Sequence, residues 1–173
     1  MQSIFFVRAL AAVAAIALAA GAAPSASVAG TLAKNSTITD LGTLGGTFSV
    51  AYAVNPGGQV VGSSTTAGDA PSHPFSWTQA GGMVDLGTLG GTQGAAFAVN
   101  PGGQVVGIST TAGNEQHAFS WTQAGGMVDL GTLGGTSTFA SAVNPGGQVV
   151  GFSSTVGDQY TGPHHAVSWR PPP

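Results

Sequence analysis

Three histidines recur at one position of a repeated pattern: His73 in "HPFSW", His117 in "HAFSW" and His165 in "HAVSW". A ring of imidazoles could bind a metal ion or an anion; alternatively, each ring bonds a neighbouring carbonyl where its strand begins. The ligand spacings of zinc motifs are missing, which favours the second reading. Asp40, Asp85 and Asp129 each precede Leu-Gly. A carboxylate ring would suit calcium, but a carboxylate ahead of a glycine-rich turn also accepts backbone N–H groups and braces it. Neither the nonapeptide nor the EF-hand calcium pattern occurs, so braces are expected and no metal or cofactor is assigned. Trp77, Trp121 and Trp169 could stack on sugars, yet their alternation with Phe75 and Phe119 predicts core positions.

Catalysis needs groups of unlike pKa gathered in one cleft. Asp69, Glu115 and Asp158 instead lie in equivalent variable links, one in each copy. No Gly-x-Ser-x-Gly elbow or Ser-x-x-Lys motif is present, and there is no cysteine. No catalytic residue is assigned, and the chain is read as a non-enzyme. The copies differ from one another mainly at "FSVAY", "QGAAF" and "STFAS", and in the links "GDAPS", "GNEQ" and "GDQYTGPH". Differences on one face of a repeat array mark its binding face. Asp69, Asn114, Glu115, Asp158, Tyr160 and His164 are therefore the expected ligand-binding loop residues.

The elements that must position these groups are short strands. "AVNPGGQVVG" occurs unchanged at Ala53–Gly62, Ala98–Gly107 and Ala142–Gly151. "SWTQAGGMVDLGTLGGT" is identical at Ser76–Thr92 and Ser120–Thr136. One copy holds four strands: Ala95–Asn100, Gln104–Ser109, His117–Thr122 and Gly126–Gly131. Asn-Pro-Gly-Gly joins the first pair as a type II turn, with Gly57, Gly102 and Gly146 at the positive-φ position. The expected units cover about 47–91, 92–135 and 136–170.

Four-stranded meanders at a period of about 45 residues are the signature of β-propeller blades. The third copy supplies only three strands, and "TITDLGTLGG" near the N-terminus is the expected fourth, residues 37–46 completing the last unit. The expected fold is all-β, with three four-stranded antiparallel blade-like units closed in this way. Closure within the chain gives a monomer, and closure onto a neighbour gives a strand-exchanged dimer. Propellers have four to eight blades, so a prism-like bundle and a shortened member of a longer-repeat family stay open.

The Asp-Leu-Gly-x-Leu-Gly-Gly, Ala-x-Asn-x-x-Gly-Gln-Val-Val-Gly and His-Ala-Phe-x-Trp elements resemble the HAF-repeat family, bacterial proteins described as extracellular repeat proteins. The resemblance spans residues 40–169. The tripeptide itself is intact only at His117–Phe119, with Pro74 and Val167 replacing its members elsewhere. The resemblance implies export and a repeat fold, and no settled activity.

Composition agrees with an exported binding or structural module. Only 5% of residues are charged against about 25% in an average domain, and glycine numbers 29. Arg8, Lys34 and Arg170 are the only basic residues, too few to follow a phosphate backbone, which excludes nucleic acid. Arg8, the apolar run Ala9–Ala20 and the small residues after it read as a secretory signal over residues 1–29. Residues 30–173 would form the mature domain, periplasmic or extracellular, without stable membrane insertion. The expected partner is a glycan or a protein at the cell surface. The rival readings are a propeller-type glycan hydrolase or lyase, and a shortened repeat protein with no independent activity.

Overall fold

A computed structural model describes residues 37–156 and 163–170. The expected signal segment lies outside the described residues. The chain divides into a first unit, Met1–Asp40, whose described residues 37–40 carry no regular element, and a second, Leu41–Pro173. Everything below concerns the second unit.

Its strands are β1 (Gly45–Val54), β2 (Val60–Thr66), β3 (Ala70–Thr78), β4 (Gly82–Asp85), β5 (Gly90–Val99), β6 (Val105–Thr111), β7 (Gln116–Thr122), β8 (Gly126–Asp129), β9 (Gly134–Val143), β10 (Val149–Thr155) and β11 (His164–Trp169). There is no helix among the described residues, so the all-β expectation holds. β1–β4 form one antiparallel sheet in chain order. The remaining strands form a second, mixed sheet in the order β11-β10-β9-β7-β6-β5, with β8 on β7. A single parallel bridge, Gln116↔Ser137, links β7 to β9. Neither sheet closes into a barrel.

The copies of the motif adopt one register. Gly62 lies opposite Ala51 and Phe75, Gly107 opposite Ala96 and Phe119, and Gly151 opposite Ala140 and Val167. The glycine is required by a close approach. A Cβ on Gly107 would run into the carbonyl oxygen of Ala95, where β5 carries a bulge between Ala96 and Ala98.

Successive meanders are glued by two apolar clusters. Val61 and Leu86 of the first pack on Ala96, Val105 and Phe119 of the second. Val106 and Ala118 of the second pack on Ala140 and Val149 of the third. The adjacent valines of "QVVG" thus face opposite neighbours, and the middle meander is buried on both sides. The expected inward residues are found in part: Phe75 and Phe119 are buried and the half-buried Trp121 and Trp169 pack against the two clusters, whereas Trp77 is half-buried and belongs to neither.

Asparagine side chains tie the hairpins together. Asn55 Nδ2 donates to the carbonyl of Asn100 at 3.0 Å, and Asn100 Nδ2 to the carbonyl of Asn144 at 3.1 Å. Within each turn the same side chain accepts locally: Asn100 Oδ1 takes the N–H of Gln104 at 3.0 Å. Gln104 Nε2 then reaches Ser120 Oγ on β7 at 2.8 Å. Gln59–Ser76 and Gln148–Ser168 repeat that contact.

Two expectations need correction. The Asn-Pro-Gly-Gly turn is not type II: the positive-φ residues are Gly58, Gly103 and Gly147, one place after the expected glycines. Gly103 N–H donates to the Asn100 carbonyl, and Asn100 N–H to the Gln104 carbonyl, each at 3.0 Å. This is a type I turn followed by a left-handed bulge residue, a three-residue hairpin connection whose twist suits the strands. The expected closure is also absent. Residues 37–43 form no strand, and β11 pairs with β10 alone among the described strands. The reason is local: Leu44 N–H is held by Ser64 Oγ at 2.8 Å and Leu44 bridges Thr66, which commits this segment to β2.

The corrected turn makes a discriminating prediction. Gly103→Ala places a Cβ at φ 84° and should cost about 1 kcal/mol or more. Thermal unfolding should therefore show Gly103→Ala melting several degrees below Gly102→Ala; equal melting temperatures would contradict the assignment.

Candidate functional site

The repeated histidines and aspartates meet. β3 pairs with β4 so that Phe75 faces Asp85, and this register brings His73 Nδ1 to Asp85 Oδ2 at 2.8 Å. His117 Nδ1 and Asp129 Oδ2 repeat the contact at 2.7 Å. The second oxygen of each carboxylate braces the next turn, Asp85 Oδ1 accepting from Gly87 N–H and Asp129 Oδ1 from Gly131 N–H, both at 2.8 Å. The brace was legible in the sequence, whereas the histidine partner was not. The signal for it was the constant interval from His to Asp in the first two copies, 12 residues in each. The expected carbonyl partner for these histidines is thus replaced by a carboxylate.

Beyond this pair, His117 Nε2 is buried without a hydrogen-bond partner, and its nearest acid, Glu115 Oε2, lies 3.5 Å away without hydrogen-bond geometry. No group of three or more ligating side chains gathers among the described residues.

The loop residues singled out from the sequence are dispersed. Asp69 sits at φ 53° in the β2–β3 turn and reaches back to the start of β1. Its Oδ1 accepts from Thr47 N–H at 2.7 Å, Thr47 Oγ1 at 2.9 Å and Thr65 Oγ1 at 3.3 Å. The backbone and then the hydroxyl of Thr47 hold its pKa below the ordinary aspartate value, with Thr65 adding to them and slight desolvation opposing. Asn114 takes the equivalent left-handed position at φ 63°, its N–H bonded to the Thr111 carbonyl. Asp158 and Tyr160 lie outside the described residues.

His164 joins a feature that the sequence did not reveal, a row of aromatic rings running across the meanders. Tyr52 and Phe97 lie 5.3 Å apart between centroids, Phe97 and Phe139 4.9 Å, and Phe139 and Phe152 5.3 Å. His164 closes the row edge-on to Phe152 at 5.1 Å. Tyr52 is 49% exposed and Phe152 38%, with Phe97 and Phe139 half-buried between them, so the row meets solvent most at its ends. The rings come from β1, β5, β9 and β10, and the first three lie in the variable stretches "FSVAY", "QGAAF" and "STFAS". A cleft of about 290 Å³ opens between the first two meanders, lined by polar groups including Ser63, Ser72, Gln93 and Gln116 and by none of these rings.

No family model matches the chain, and neither a curated protein nor a solved structure matches it. The site must therefore be read from its own chemistry.

Two predictions follow the bracing groups. Asp129→Ala removes partners from both His117 and Gly131 N–H, and should lower the melting temperature more than Glu115→Ala, whose carboxylate braces no turn; the reverse order would refute the brace. Asp69 has a depressed folded-state pKa, so its stabilisation is present above the unfolded value of about 3.9 and is lost as pH falls through the folded value. Acid titration of thermal stability should therefore be steeper below about pH 4 in the parent than in Asp69→Asn. Superimposable profiles would count against it.

Proposed function

We propose that this chain is an exported, non-catalytic binding module of the HAF-repeat kind, built from propeller-type blades, with a glycan as its ligand class. The observation that carries the reading is the aromatic row Tyr52–Phe97–Phe139–Phe152, a bordering strip of apolar rings on a protein whose polar groups are mostly hydroxyls and amides. Exposed rings next to neutral hydrogen-bonding side chains suit the apolar faces and hydroxyls of a sugar chain. His164, one of the residues singled out from the sequence, belongs to that strip.

Non-catalysis is supported by how the ionisable groups are used. Asp85 and Asp129 brace turns, Asp69 ties its turn to the start of β1, and His73 and His117 are paired with the first two carboxylates. Export is supported by the layout of Arg8 and the apolar run that follows it. The blade reading is supported by the stacking of like meanders, each resting on the next through the valines of "QVVG".

A glycan array probed with the mature protein, followed by titration calorimetry on any hit, tests the reading. Binding without turnover, weakened about ten-fold by Tyr52→Ala with the fold intact, is the expected result. An unchanged affinity in Tyr52→Ala, chain cleavage of a bound glycan, or a blank array would overturn it.

A further inference from the structure

The stack ends in two unlike faces that correspond to the two halves of its own internal interface. Between the second and third meanders, Val106 and Ala118 meet Ala140 and Val149, and all four are buried. On the outer face of the third meander the counterparts of Val106 and Ala118 are Val150 and Ala166. Both are exposed, Val150 by 42%. At the opposite end, Ala51 and Val60 are the counterparts of Ala140 and Val149. Ala51 is exposed and Val60 half-buried.

The asparagine ladder is cut at the same two places. Asn144 Nδ2 reaches only Gln148 Oε1, at 3.5 Å, among the described residues. The Asn55 carbonyl receives the N–H of Gly58 and no asparagine amide. One end therefore offers a donor and the other an acceptor, at the spots where internal rungs form. Leaving both apolar faces in water forfeits the burial that each internal face obtains.

We propose that a second copy of this chain docks head to tail, its Ala51–Val60 face on the Val150–Ala166 face and its Asn55 carbonyl accepting from Asn144 Nδ2. The occupant follows from continuity: the surface that covers Val106 and Ala118 inside the chain recurs on the far end of every copy. The contact joins unlike surfaces, so it is heterologous and either closes into a ring or continues as a fibre. Two copies bring six meanders, within the four to eight blades of known propellers, and closure at two copies is the committed form. That count rests on the blade reading above, whereas the contact itself does not.

Sedimentation velocity on the full mature chain over a concentration series tests the proposal without any ligand, so its outcome is separable from that of the glycan experiment. A dimer that dissociates on dilution is expected. Val150→Glu should weaken it by about ten-fold or more, because a carboxylate must be desolvated at the contact. Far-UV circular dichroism and melting of the Val150→Glu monomer should match those of the diluted parent. Longer polymers abolished by Val150→Glu would keep the contact and overturn closure at two copies. A parent that stays monomeric throughout, including one whose own N-terminal segment covers the face, would overturn the proposal. So would a dimer indifferent to Val150→Glu.

Discussion

One side chain sets the terms for the rest of this fold, the asparagine that opens each hairpin turn. Asn100 closes its own turn through Oδ1 and reaches the next hairpin through Nδ2. An apolar residue could do neither, and aspartate could do only the first. Because Asn55 and Asn100 are buried, an unmade bond at either would cost about 1–3 kcal/mol, comparable to a large part of a small domain's stability. Turn geometry and meander spacing are consequently fixed by the same atoms. The valine pairs of "QVVG" then fall into opposite interfaces, and Gly107 keeps the β5–β6 approach close enough for both to seal.

This arrangement explains a composition with so few charges. Strands buried on both faces have little surface on which a charge could be hydrated, and the sequence uses serine and threonine where polar groups must be covered. Ser64, Ser109 and Ser153 are almost wholly buried, and each accepts the N–H of the leucine ahead of a first strand, at 2.8–2.9 Å. Asp85 and Asp129 each join a turn N–H to a histidine ring, and Asp69 joins one N–H to two threonine hydroxyls. His73, His117, Asp69, Asp85 and Asp129 are thereby absorbed into architecture, and the aromatic row is left bordering solvent.

Much of the architecture was legible in the sequence. Strand positions followed from period-2 alternation and from glycine and proline punctuation: the expected His117–Thr122 differs from β7 by one residue at its start. The first strand of each copy was read short, because "GGTQG" scores as a turn while its backbone pairs along β6 from Gly90. The turn type was misread because Pro-Gly suggests type II chemistry, whereas the bulge glycine after it absorbs the positive φ. Closure by residues 37–46 failed for a physical reason too. The second leucine in "DLGTLGG" is claimed by a serine on the second strand of the meander it leads into, so that segment enters a first strand and is not itself a closing strand. Of the candidate site, the aspartate braces could be read from the Asp-Leu-Gly pattern. The aromatic row could not, since Phe139 and Phe152 come from positions that hold no ring in the other copies.

The central claim is that an asparagine amide, repeated along the chain, locks one hairpin to the next. Its most direct test compares the thermal unfolding of Asn100→Asp with that of Asn144→Asp, at dilutions where single copies prevail. Each substitution retains the local acceptor, but only Asn100→Asp removes a rung between hairpins and sets a carboxylate oxygen against the Asn144 carbonyl. The account predicts that Asn100→Asp melts well below Asn144→Asp, by several degrees or more. Equal melting temperatures for the two variants would contradict it.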